Sequence, residues 1–271
     1  MDTSQIIQKI DWYKPTLCMF HALITSSSYG LIRLNILALI RMLFFIPFSL
    51  NFNSSKLVLI SYFRNDLFRD FDLVINSLPK DYSTLEIKGY QNIKLKRLYI
   101  NDVIFAFHES SKIIDHIQES PKNLILARGV IFLFILEGIK IVRCLYDKNI
   151  KVESILSLME MQFCENIISQ YFRLNGAKTF AYQHGYYHDD GHHVTRKTYI
   201  PVNYLASVCE TAFAWGEKNK ILLEKYTKAS VICVGKPSLL GAPSNMSYSN
   251  KNDVNIKPSH MVAILDGINL R

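Results

Sequence analysis

The stretch KVESILSLMEMQFCENIISQYFRLNGAKTFAYQH, residues 151–184, decides how the rest of the chain is read. It opens with an apolar run of strand length, KVESILSLME. A segment of helical character follows, MQFCENIISQYFRLNGA, closed by Gly176, a good helix-terminating residue. KTFAYQH then reads as a second strand. Strand, helix and strand in about thirty residues make a βαβ unit, and such units build parallel sheets.

Downstream the alternation continues. TAFAWG (211–216) reads as a strand, EKNKILLEKYTKA (217–229) as a helix, and SVICVGKP (230–237) as a strand that stops at Gly-Lys-Pro. Upstream, KLVLISYF (56–63) is a continuous apolar run, as expected of a strand covered on both faces. The segment after it carries Leu67, Phe68, Phe71, Val74, Ile75 and Leu78 at helical spacing, with Asn65 or Asp66 as its cap. STLEIKG is a weaker strand. NDVIFAFHESSKIIDHI and NLILARGVIFLFILEGIKIVRCLYDKN read as helices, the second apolar nearly all round and therefore internal. Residues 1–50 read as helices with short breaks. The expected fold is α/β, a Rossmann-like doubly wound parallel sheet over residues 51–241 preceded by a helical segment. Residues 242–259, polar and rich in Asn and Ser, read as a linker. HMVAILDGINLR (260–271) reads as the first strand of an incomplete second domain, or else as a terminal strand of the first sheet.

With 49% hydrophobic and 20% charged residues the chain has globular composition, and its formal charge of +8 favours anionic partners. Five widely spaced cysteines (Cys18, Cys144, Cys164, Cys209, Cys233) form no CxxC pair, so neither a zinc cage nor a disulfide framework is supported. A reducing cytoplasm is the expected compartment. No compact basic patch interleaved with aromatics occurs, so nucleic acid is not an expected partner. YGLIRLNILALIRMLFFIPFSL (29–50) is interrupted by Arg33 and Arg41, which leaves no charge-free run of the ~18 residues a spanning helix needs. It reads as a helix-packing segment or as an interfacial helix whose basic residues face lipid headgroups.

Ligands of open α/β sheets sit beyond the carboxyl ends of the strands. KTFAYQ ends at Gln183, which places His184 and Gly185 where a substrate belongs, with Tyr186 beside them. Glycine there permits a tight turn or close backbone approach. His184 can accept or donate a proton near neutral pH, or hydrogen-bond a phosphate. By the same rule Arg64 and Asp66 follow the first strand, Glu160 follows SILSLM as a carboxylate facing His184, and Gly235 and Lys236 end the last strand. Lys236 beside glycine suits a phosphate, although GKP lacks the rest of a P-loop. His188, Asp189, Asp190, His192 and His193 have metal-ligand chemistry but no defined spacing such as HExxH. They read as a polar loop over the cleft.

TFAYQHGYY, TAFAWGEKNKILLEKY and VICVGKP, in that order and spacing, resemble bacterial surface-polysaccharide (capsule-type) glycosyltransferases of the two-Rossmann-domain GT-B fold. In these a Gln-His-Gly triplet precedes a Trp-Gly and a Val-Gly-x-Pro strand end. The similar region covers about residues 150–240. The resemblance implies transfer of a sugar or sugar-like unit from a nucleotide-activated donor to a glycan or lipid-linked acceptor at the inner membrane face. It implies no cofactor and no metal. The motif histidine falls on His184, and the last strand end on Gly235 and Pro237. Such enzymes bind the donor mainly in the C-terminal domain, of which MVAILDG would be the first strand. Two other classes stay open: a non-catalytic membrane-associated binding protein, and a metal-dependent hydrolase using the His/Asp loop.

Overall fold

The computed structural model describes residues 1–26, 30–44, 55–61, 68–87, 98–115, 121–158, 160, 162–183 and 207–236. The elements in chain order are α1 (Thr3–Lys9), α2 (Tyr13–Ser26), α3 (Leu31–Phe44), β1 (Lys56–Ser61), α4 (Phe68–Ser77), β2 (Tyr82–Ile87), α5 (Ile100–Ile114) and α6 (Pro121–Lys148). They continue with β3 (Ser154–Ser157), α7 (Phe163–Leu174), β4 (Lys178–Tyr182), β5 (Thr211–Ala214), α8 (Glu217–Tyr226) and β6 (Ser230–Cys233).

All six strands form one parallel sheet in the order β2-β1-β3-β4-β5-β6. The fold is therefore the expected Rossmann-like α/β fold. The order reverses at β1, whose neighbours are β2 and β3, so the switch point of the sheet lies between β1 and β3. In the centre, β3 is buried at every position, which is why SILS carries no alternation. At the edge, β6 buries Val231 and leaves Ile232 and Cys233 exposed.

Alternate residues feed cores on the two faces, and a smaller third cluster joins Ala181, Ala212, Ala214 and Val231 to Leu223 of α8. Val58, Leu156, Leu158, Tyr182, Phe213 and Val234 point to one face, where α4 lays Phe71 and Val74 against them. Leu57, Leu59 and Ile155 point to the other, into a large core shared by α1, α2, α3, α5, α6 and α7. The helix α7 lies directly on the sheet and is buried from Phe163 to Phe172, polar residues included. Its Gln170 satisfies its buried amide by accepting from the Asp11 N–H (2.8 Å) and donating to the Asp11 carbonyl (3.1 Å), which ties the link between α1 and α2 to the sheet layer. As its sequence predicts, α6 is internal, with Val130, Ile131, Ile135, Ile139 and Leu145 excluded from solvent. Asn35 bonds α3 to it by donating to the Leu31 (2.9 Å) and Leu126 (2.8 Å) carbonyls. Further along, Lys140 donates to the Met42 carbonyl in the last turn of α3. Burial lowers the pKa of that ammonium, and the nearby Glu137 charge opposes the shift.

Candidate functional site

The carboxyl ends of β4, β5 and β6 come together although 53 residues separate the first from the last. Tyr182, the last residue of β4, donates its hydroxyl to the Gly235 carbonyl just past β6, at 3.2 Å. Gly235 has φ of +81°, a left-handed conformation that glycine adopts without strain. That turn delivers Lys236 back over the sheet edge, with its ammonium 5.1 Å from the Trp215 ring centroid and 3.8 Å from Asp70 Oδ2.

Asp70 belongs to the first turn of α4, the helix that follows β1. A carboxylate at a helix N-terminus is favourable on ordinary grounds. Two facts take this one further. Its residue is only 5% exposed, and its Oδ1 is buried without a hydrogen-bond partner. An unmatched buried carboxylate oxygen is costly, and here, among the described residues, the only charge set against the carboxylate is the Lys236 ammonium at Oδ2. Burial pushes the Tyr182 phenol far above its usual range; a Trp215 hydrogen bond opposes that shift, and the Asp70 charge adds to it. Tyr182 is thus a neutral donor at any physiological pH. The cluster groups one buried carboxylate, one cation and an aromatic ring within a few ångströms. That set suits a ligand carrying hydroxyl groups and an anionic substituent.

Of the residues singled out from sequence, Gly235 and Lys236 lie in this cluster. Gln183 stands next to it, buried, with its N–H on the Phe213 carbonyl (3.0 Å) and its side-chain oxygen accepting from the Trp215 N–H (2.6 Å). It clamps the ends of β4 and β5 in register and so positions whatever follows it. Glu160 is buried, and its two oxygens are engaged within the fold. Oε1 accepts from the N–H groups of Val208 and Cys209, the latter at 2.6 Å, and Oε2 accepts from the Ser207 hydroxyl at 2.8 Å. These contacts anchor the segment that enters β5. Burial, reinforced by the Glu160 charge, raises the Cys209 thiol well above its ordinary pKa, so it is no nucleophile. Arg64, Asp66, His184, Gly185, Tyr186, Pro237, the His/Asp loop and residues 242–271 lie outside the described residues.

Asp70 and Tyr182 were not legible as site residues. Asp70 sits among the helical-period apolar positions Phe71 and Val74 and reads as a helix-start acid. Only the packing of α4 into the core that also holds Val58 of β1 and Val234 beyond β6 brings it to Lys236.

A concavity of about 690 Å³ lies between α1, α5 and α6 and is lined by Ser4, Gln8, Asn101, Ile104, His108 and Arg143 among others. Its one buried charge is spent: Asp102 is bonded by both Arg143 Nε (2.8 Å) and a terminal guanidinium nitrogen (2.6 Å). Among the described residues no three His, Cys, Asp or Glu side chains gather as a metal site.

The site at the strand ends thus stands on its own geometry, because comparison of the chain with protein-family models, curated proteins and solved structures finds no match.

Proposed function

We propose that the chain is the acceptor-side, Rossmann-like part of a glycosyltransferase of surface-polysaccharide type, moving a sugar or sugar-like unit from a nucleotide-activated donor to a glycan or lipid-linked acceptor. The observation that carries the reading is the grouping of the buried Asp70 carboxylate with Lys236 and Trp215, at the ends of the strands whose sequences bear the resemblance. In this reading Asp70 accepts a hydrogen bond from an acceptor hydroxyl, and Lys236 steadies an anionic group of the ligand. His184, the next residue after the clamped Gln183, takes the proton as the hydroxyl oxygen attacks the anomeric carbon. The bond from that carbon to the donor phosphate breaks, and the nucleoside phosphate leaves with the electron pair.

The test uses the chain's two tryptophans, of which Trp12 is buried in the helical core and Trp215 reports on the site. Glycans and nucleotide sugars are titrated against its fluorescence, and donor consumption is followed by mass spectrometry. A saturable signal that is lost in Trp215→Phe, with turnover lost in His184→Ala, supports the reading. If no glycan, lipid-linked sugar or nucleotide sugar perturbs Trp215 or is consumed, the reading is wrong.

A second reading, a non-catalytic membrane-associated binding protein, is favoured by one observation: large apolar side chains stand exposed along α3 and α5. It differs in requiring function to survive His184→Ala.

A further inference from the structure

Between Asp11 and Asp66 the chain contains no acidic residue, while it carries Lys14, Arg33, Arg41, Lys56 and Arg64. The helix α3 lies inside this span. Leu34, Ala38 and Met42 form its inner row against α6. Ile32, Ile36, Leu39 and Ile40 form an outer row, with Ile32 64% and Ile36 54% exposed. An ordinary surface helix is polar on that side. The helix cannot roll to bury the outer row, because Asn35 and Lys140 fix its azimuth from both ends. On α6 too, α5 repeats the pattern, running from Arg143 back towards Arg128. Ile100, Val103, Ile104 and Phe107, spaced i, i+3, i+4 and i+7, are all exposed, Ile100 at 77%. Arg128 holds α5 there by lying on the Phe107 ring, 4.0 Å from its centroid, and by donating to Ser111. Ile125, 75% exposed, belongs to the same N-terminal stretch of α6, next to the Leu126 carbonyl that Asn35 grips and within a turn of Arg128.

We infer that this face of α3 docks in the plane of an anionic phospholipid bilayer. Three arguments select that partner. First, the apolar side chains are large and lie in helical rows rather than scattered, as a surface that enters the headgroup boundary requires. Second, α3 carries Arg33 and Arg41 and no acidic residue, which complements anionic headgroups. A second copy of the chain is disfavoured by the same charge, since a two-fold interface across α3 would set these arginines against their own images. Third, the helix lies on the membrane rather than through it. At 14 residues α3 is roughly 21 Å long, short of the ~30 Å hydrocarbon core, and no helix among the described residues is long and apolar enough to cross. The inference does not depend on the proposed transferase activity.

The full chain is sedimented with vesicles of phosphatidylcholine alone and of phosphatidylcholine with one-third phosphatidylglycerol, alongside the variants Ile36→Glu and Ile32→Glu. Both positions point outward, so circular dichroism and melting stay as in the wild type. The expected result is strong partitioning to the anionic vesicles, at least tenfold weaker partitioning in Ile36→Glu, and a several-fold loss in high salt. Equal binding to neutral and anionic vesicles, equal binding by Ile36→Glu and wild type, or no vesicle binding at all would each overturn the inference. So would a concentration-dependent dimer that Ile36→Glu abolishes and vesicles do not compete with.

Discussion

Replacing Glu160 by alanine strands two backbone donors, the N–H groups of Val208 and Cys209, together with the Ser207 hydroxyl. Val208 and Cys209 are both under a tenth exposed, so water cannot simply take the place of the carboxylate. A buried donor left without a partner costs about 1–3 kcal/mol, so two of them put Glu160→Ala at roughly 3–4 kcal/mol once partial relaxation is allowed. For a chain of this size that corresponds to a fall in melting temperature of roughly 6–15 °C. Glu160→Gln keeps an oxygen for both N–H groups, and the Ser207 hydroxyl can turn to accept from the new amide, so its cost is about 1 kcal/mol. The assay is urea unfolding of the full chain followed by circular dichroism, with hydrogen exchange at the Val208 and Cys209 amides. These amides are expected to be protected in the wild type, nearly so in Glu160→Gln, and open in Glu160→Ala. If Glu160→Ala unfolds within 1 kcal/mol of the wild type and the two amides exchange as before, the carboxylate does not hold the entry to β5. A variant Glu160→Gln with unchanged stability and abolished turnover would instead assign Glu160 to the chemistry.

Asp70→Asn is expected to change stability by less than about 1 kcal/mol, because Oδ1 makes no hydrogen bond and the partly exposed Lys236 is screened by solvent, yet to weaken ligand binding at Trp215 at least tenfold. Melting and fluorescence titration on one preparation separate the two effects, and a large loss of stability would show that Asp70 serves the fold. Gly138→Ala would place a methyl 2.4 Å from the Trp12 ring and 3.1 Å from Phe163, an overpacking cost of about 1–3 kcal/mol against a helix-propensity gain of about 1 kcal/mol. A net loss with an altered near-ultraviolet signal from Trp12 is expected, and a gain in melting temperature would show that α6 can shift away. Lys140 has a lowered pKa in the folded chain, so the unfolded chain holds more protons between that value and about 10.5, and this residue's contribution to stability rises with pH through that window. Comparing urea unfolding of wild type and Lys140→Met from pH 7 to 10 isolates the effect; parallel curves would contradict it.

The six strands could be read because most are apolar runs that end at a charged residue or near a glycine, STLEIKG being the weakest of them, and no competing helical period runs through KLVLISYF, SILSLM or SVICV. The internal position of α6 was equally plain, since a helix apolar on all sides has nowhere else to go. Strand order was beyond reach. Nothing in β1 or β3 alone says that Leu57 will pair with Ile155, because parallel pairing is chosen by the packing of helices far away in sequence. The site was legible only where it coincides with strand ends, at Gln183, Gly235 and Lys236. Glu160 was correctly placed after its strand, but the destination of its oxygens lay 47 to 49 residues further on. Asp70 was hidden by a sufficient local explanation, the preference of helix starts for acids.

The reciprocal bonds between Asp11 and Gln170 have a consequence for how the protein is made. Their partners lie 159 residues apart, so at ribosomal speeds of about 5–20 residues per second the N-terminal helices wait roughly 8–30 seconds for α7 to be synthesised. Trp12, Phe20, Leu34 and Met42 find cover only in the core that α6 and α7 complete. Helices α1 to α3 are therefore made well before the elements that house them, and their apolar side chains stay uncovered until α6 and α7 have left the ribosome. Arrested nascent chains of about 150 and 220 residues, probed with protease, would show this as cleavage near residue 20 in the shorter chain and protection in the longer one; early protection would mean that the helices fold without waiting.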